Sequence, residues 1–234
     1  MKFVILLLFI SLQLLYSQHK ETLEYSPYSD TIGSNKIDKS IGAALYSFVK
    51  NRIDFVQYDD YENCDLRAHL ICFVLEKKFD NLKLGKAWLF GDSKRASKKF
   101  LYEDGGSSYL ALNSKGMSWG YHVAPVIIFG KDTLIIDPTT QSFAVPLRKW
   151  ANDLIPLGSK GYIILKNNEY FCYPSDDENM FMDNETNWDN ANDESGHADV
   201  LTDIAEKISV AYIGILDPSK IVFYKNKIID LCNQ

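Results

Sequence analysis

Two apolar runs, Trp119 to Phe129 and Asp132 to Asp137, are separated only by Gly130-Lys131. A two-residue connection that begins with glycine suits a type II′ turn, and such a turn joins antiparallel strands. Phe129 then pairs with Asp132, and counting back sets Ala124 opposite Asp137 and His122 opposite Thr139. Side chains alternate between the faces of a sheet, so His122 and Asp137 become diagonal neighbours on one face. Diagonal Cβ atoms lie roughly 7 Å apart, near enough for a carboxylate to accept a hydrogen bond from an imidazole. One extra residue in the turn would send the two side chains to opposite faces.

Helical spacing dominates elsewhere. Ile41 to Phe55 places Leu45, Phe48, Val49 and Ile53 on one side, and Cys64 to Phe79 does the same with Ala68, Ile71, Cys72, Leu75 and Phe79. Asp60 or Asn63 is in place to cap the second helix. A further strand is expected at Lys86 to Gly91, a long Ser/Lys/Gly-rich loop at 92–116, and a short helix from Pro146 that carries Trp150. Strands follow at Gly161 to Leu165 and Tyr170 to Tyr173, and two helices, about 198–213 and 217–232, close the chain. Asp176 to Asp203 holds ten acidic residues and no lysine or arginine, which reads as a solvated loop.

Cys64 falls in the first turn of its helix. There the helix dipole and the unpaired N–H groups favour a thiolate, and the same groups can receive the oxyanion of a tetrahedral intermediate. With His122 as general base and Asp137 as its orienting acid, the chain holds the three parts of a thiol triad. Each residue also has an ordinary explanation. Cys64 can be a small apolar residue at a helix end, His122 a core histidine, and Asp137, before Pro138, a turn former.

Three segments, Asn63-Cys64-Asp65-Leu66-Arg67-Ala68-His69, Trp119-Gly120-Tyr121-His122-Val123-Ala124 and Ile135-Ile136-Asp137-Pro138, resemble in order the catalytic blocks of the bacterial protein glutaminases. The resemblance spans roughly residues 60–140. It implies an α+β fold, a papain- and transglutaminase-like core with the nucleophile at a helix N-terminus packed on an antiparallel sheet. It implies Cys64 as nucleophile, His122 as base and Asp137 as acid, with no metal or organic cofactor. Trp119 and Tyr121 are candidates for the substrate-cleft wall, or ordinary strand packing. Arg67 and His69 match motif positions and read as groups anchoring the helix. The acidic C-terminal third has no counterpart in the resemblance.

The amino terminus reads as a secretory signal. Lys2 precedes a mostly apolar run to Tyr16, with cleavage expected after Ser17. That run is short of the roughly 20 residues of a spanning helix, so a secreted or periplasmic protein without stable membrane insertion is expected. About 46 residues then precede Cys64, fewer than the inhibitory propeptide of the resembled enzymes would need. From 41 onward a single thiol-hydrolase-like domain is expected. A net charge of −6 gives no attraction to nucleic acid. Of four cysteines, Cys172 and Cys232 are the candidates for a disulfide. His19 and His197 lack zinc-ligand spacing with the cysteines, and the acidic stretch lacks an EF-hand pattern.

The expected activity is deamidation of protein-bound glutamine, with protein or peptide substrates as partners. Two alternatives stay open: a related cysteine peptidase or transglutaminase-type acyl transferase, and an inactive secreted binding module.

Overall fold

A computed structural model describes residues 22–25, 29–36, 38–58, 63–79, 81–91, 110–111, 118–119, 121–155, 160–168, 194–214 and 216–233. The expected signal peptide, the strand at 170–173, Cys172 and most of 92–116 and 176–193 lie outside these residues. Among the described residues the elements run β1 (Thr22–Tyr25), α1 (Ile41–Arg52), α2 (Cys64–Lys78), β2 (Leu84–Phe90), β3 (Leu110–Ala111) and β4 (Ser118–Trp119). There follow β5 (Tyr121–Phe129), β6 (Asp132–Ile135), β7 (Val145–Pro146), α3 (Leu147–Leu154), β8 (Lys160–Asn167), α4 (Glu194–Ile213) and α5 (Pro218–Asn233).

The fold is α+β. Six strands form one sheet in the order β1-β8-β2-β5-β6-β7; β1 runs parallel to β8 and the other pairs are antiparallel. The β5–β6 hairpin has the register expected from its turn, with Phe129 opposite Asp132 and Val126 opposite Ile135. Gly130 takes φ +58°, the left-handed geometry that the first turn position requires. A Cβ there would meet nothing within 4 Å, so only backbone strain penalises a side chain. Gly130→Ala is therefore expected to cost about 1–2 kcal/mol, read as a lower denaturant midpoint with an unchanged slope.

Several boundaries differ from expectation. The strand expected from Trp119 is divided: Ser118–Trp119 pairs with Leu110–Ala111 in a separate two-stranded sheet, inside the span expected to be loop. Gly120, with no side chain to pack, sits between the two strands in sequence. Pro146 ends β7 and caps α3 instead of opening it. α4 starts at Glu194, four residues before the helix expected at about 198–213, so the end of the acidic stretch is helical; acidic residues near a helix start suit its dipole.

α2 is the centre of the molecule. The single buried face expected for it is an understatement, because Cys64 and every residue from Leu66 to Leu75 are buried. Its core neighbours include Leu45 and Val49 from α1, Ile204 and Ile208 from α4, and Ile228 from α5. Toward the sheet, Cys64 and Ala68 share a cluster with Trp88, Phe90 and Val123. A helix covered on all sides needs apolar residues all round. α3 packs on the other face of the sheet, where Trp150 and Leu154 meet Leu89, Ala124 and Val126.

Candidate active site

Cys64 is the first residue of α2. Asn63 precedes it at φ 58°, ψ 31°, a left-handed conformation that asparagine tolerates better than most residues. Asn63 stands at the expected cap position but gives no side-chain cap bond. The first-turn amides are distributed differently: Leu66 N–H donates to Asp65 Oδ1 at 2.9 Å and Arg67 N–H to the Asn63 carbonyl at 3.0 Å. Of the donors that a helix start leaves outside its own ladder, two belong to Cys64 and to the next residue, Asp65.

His122 stands near the start of β5, on the strand face shared with Ala124 and Val126. β6 pairs with β5 only from Val126 onward. Beyond that ladder one more bond, Ile136 N–H to the Pro125 carbonyl at 3.1 Å, carries the register toward Asp137. The chain then turns, with the Asp137 carbonyl accepting from the amides of Thr140 and Gln141. His122 thus lies on the part of β5 that β6 does not cover. There the first turn of α2 and Trp150 of α3 approach from opposite sides of the sheet.

The imidazole and the carboxylate meet directly. His122 Nε2 and Asp137 Oδ2 are 2.9 Å apart, and the side chains are 1% and 5% exposed. Asp137 Oδ2 also accepts from Trp150 Nε1 at 2.8 Å and from the Thr140 hydroxyl, while Oδ1 accepts from Thr139 N–H at 3.2 Å. Asp137 is therefore both a turn former and the partner of a buried imidazole; the two readings of this residue coexist. Burial pushes its carboxyl pKa up, but His122, Thr140 and Trp150 outweigh burial and hold it below the usual value.

With Nε2 committed to Asp137, the other ring nitrogen, Nδ1, is the one left to serve Cys64. Burial disfavours the imidazolium, yet the charge and hydrogen bond of Asp137 exceed that penalty. The neighbouring Cys64 adds to them, and the His122 pKa rises to about 9. All three side chains border one cavity of about 10 Å³, room for roughly one water. The structure thus brings together the three residues expected to act as a unit.

The remaining candidates divide. Tyr121 is half-buried and packs on Trp88 and Phe90, with ring centroids at 5.4 and 6.1 Å. Trp119 is described by its backbone alone, in β4. His69 is fully buried and its Nδ1 lies 2.7 Å from Lys86 Nζ. Burial, reinforced by Lys86 and Lys207, holds its pKa well below the ordinary value, so it is a neutral anchor for α2. Cys232 is a free, half-buried thiol; its expected partner Cys172 is outside the described residues.

Trp150 and Thr140 are the functional side chains that sequence reasoning missed. Thr140 had a signal, three residues past an Asp-Pro turn. Trp150 had none, because nothing in its helix tells which way the indole N–H points. Trp150→Phe keeps the ring in the core and deletes one donor to Asp137. It is expected to lower kcat about 3–10-fold and stability by about 1–2 kcal/mol, measured by steady-state kinetics and denaturant unfolding.

A family model described as glutaminase matches residues 34–154, more than half of the chain. This protein belongs to the glutaminase family. No curated protein and no solved structure matches it. The matched span contains Cys64, His122, Asp137 and Trp150, but neither α4 nor α5. In this glutaminase-family chain, a buried acid–imidazole pair faces a helix-borne thiol.

Proposed function

We propose that this protein is a cysteine-dependent protein glutaminase, hydrolysing the side-chain amide of protein-bound glutamine to glutamate and ammonia. The observation that carries this reading is the buried 2.9 Å contact of His122 with Asp137, beside the same small cavity that Cys64 borders. The glutaminase family supplies the amide as the bond attacked.

With its proton already transferred to His122 Nδ1, Cys64 Sγ forms a bond to the carboxamide carbon. The carbonyl electrons move onto oxygen, which the backbone N–H of Cys64 and its neighbour Asp65 are placed to stabilise. Collapse of this intermediate breaks the C–N bond while Nδ1 returns the proton, and ammonia leaves. Nδ1 then takes a proton from water and the hydroxide adds to the thioester carbon; C–S cleavage releases the new carboxyl group, which loses its proton to solvent, and leaves Cys64 and His122 as they began, with the proton on Nδ1. Asp137 holds the ring through Nε2 throughout and balances the imidazolium charge. The residues present supply every proton transfer, so the scheme calls on no metal or cofactor.

Two features of the arrangement support a papain- or transglutaminase-like core: the thiol starts a helix, and the imidazole on β5 is met by an acid two residues past the end of the neighbouring antiparallel strand β6. We place Tyr121, and Trp119 with it, at the wall of the cleft. The amino-terminal signal reading places the reaction outside the cytoplasm.

The test is ammonia release from a glutamine-rich protein such as casein, with the substrate followed by mass spectrometry. Amide-to-acid exchange with intact chains supports a deamidase. Shortened chains would make it a peptidase, amine-dependent cross-links a transferase, and an unchanged substrate would overturn the reading.

A further inference from the structure

Arg67 takes no part in the chemistry above, yet it is 3% exposed and borders the same small cavity as Cys64, His122 and Asp137. Its Nη1 donates to the Gln57 carbonyl and to the Tyr212 hydroxyl, both at 3.2 Å. Its Nη2 is buried with no hydrogen-bond partner among the described residues. Taking a guanidinium out of water is expensive, and two neutral acceptors offset only part of that cost. An apolar side chain would anchor the helix more cheaply, so simple anchoring is a poor account of this residue.

The connections of Arg67 offer a better one. It lies three residues past Cys64, on the adjoining part of the same helical turn. Gln57 belongs to the segment that leads into α2, and Tyr212 lies in the last turn of α4. One planar group therefore ties the approach to the nucleophile, the nucleophile helix and α4 together. Tyr58 is buried and borders the same small cavity as Arg67 and Asp137. Asn63, at the cap position, makes no side-chain cap bond; among the described residues the first turn of α2 has one side-chain acceptor of its own, Asp65, for the Leu66 amide.

We propose that Arg67 is a positioning residue for Cys64, clamping the first turn of α2 to α4 through Tyr212, so that α4 is part of the catalytic apparatus. This rests on Cys64 being the nucleophile. α4 lies wholly outside the residues 34–154 matched by the family model. The catalytic span is thus completed by a helix that the model does not cover.

The experiment uses the full chain with Tyr212→Phe, which removes one hydroxyl, together with Arg67→Met and Arg67→Lys. Three quantities are read: kcat and KM for ammonia release, the alkylation rate of Cys64 by iodoacetamide localised by peptide mapping, and the melting temperature. Tyr212→Phe is expected to lower kcat and the alkylation rate together by about 3–10-fold, with KM within about twofold. Arg67→Met is expected to lose roughly 100-fold in kcat, and Arg67→Lys to recover part of it. Folded variants with wild-type kcat and alkylation rate would overturn the clamp, as would a fall in melting temperature alone. If the unsubstituted protein releases no ammonia, the deamidase reading fails. The alkylation rates then decide the clamp separately: equal rates reject it, and a slower Tyr212→Phe keeps it for whatever chemistry Cys64 performs.

Discussion

Cys64→Ala is expected to bring ammonia release from a protein substrate down to background, a loss on the order of 10⁵-fold or more. The size follows from the mechanism: no other described group is placed to form the covalent intermediate, and water alone lacks an activated path to the amide. Folding should survive. Cys64 is buried beside Ala68, Trp88 and Val123, and deleting one sulfur from such a packed site costs about 1–2 kcal/mol. Release of ammonia, far-UV circular dichroism and the melting temperature, measured on the same preparation, separate lost chemistry from lost structure. A folded Cys64→Ala protein that still deamidates at the wild-type rate would remove the thiol from the mechanism.

Asp137→Asn has the second-largest expected effect, because the asparagine keeps most of the shape and loses the charge. Burial is the strongest influence on His122 and opposes its protonation; Asp137 is the main reason that the ring nevertheless has a pKa of about 9. With the carboxylate neutralised, the imidazolium that must balance a thiolate and later protonate ammonia is no longer favoured. A fall in kcat of about 10²–10⁴-fold is expected. The alkaline limb of the kcat/KM profile, set by His122 near pH 9 in the wild type, should move to lower pH. A profile identical to wild type would mean that Asp137 does not control this ring.

The same pair contributes to stability in a defined pH window. His122 rises from 6.5 when unfolded to about 9 when folded, so its contribution, roughly 3 kcal/mol, is complete below about pH 6.5 and disappears as pH rises through 9. The Asp137 pKa is lowered from 3.8, so its contribution is present above about pH 4 and is lost as pH falls through the folded value. The wild-type advantage over Asp137→Asn should therefore be greatest between about pH 4 and 6.5 and shrink toward pH 9. Unfolding by denaturant at these pH values measures it.

Much of the site was legible in the order of residues. A glycine-led two-residue turn dictates the β5–β6 register, and register alone puts His122 and Asp137 on one face. The 3.6-residue pattern places Cys64 at a helix start. Other features were invisible for specific reasons. The periodicity of α2 suggested one buried face because the sequence of a helix does not say how many partners cover it. α1, α4 and α5 complete the enclosure. Arg67 read as an anchor because its partners, Gln57 and Tyr212, lie 10 and 145 residues away.

By itself, then, the sequence determined what depends on neighbours along the chain: the turn, the strand alternation, the helix start that carries the thiol, and the three segments resembling the glutaminases. Only the tertiary structure decided which groups gather from a distance. Trp150 reaches Asp137 because α3 packs across the opposite face of the sheet, and Tyr212 reaches Arg67 because α4 folds back on α2. Local propensity is set by steric and hydrogen-bonding preferences within a few residues. Convergence of side chains is set by packing between elements, where burial gives a single charge or indole N–H the power to move a pKa.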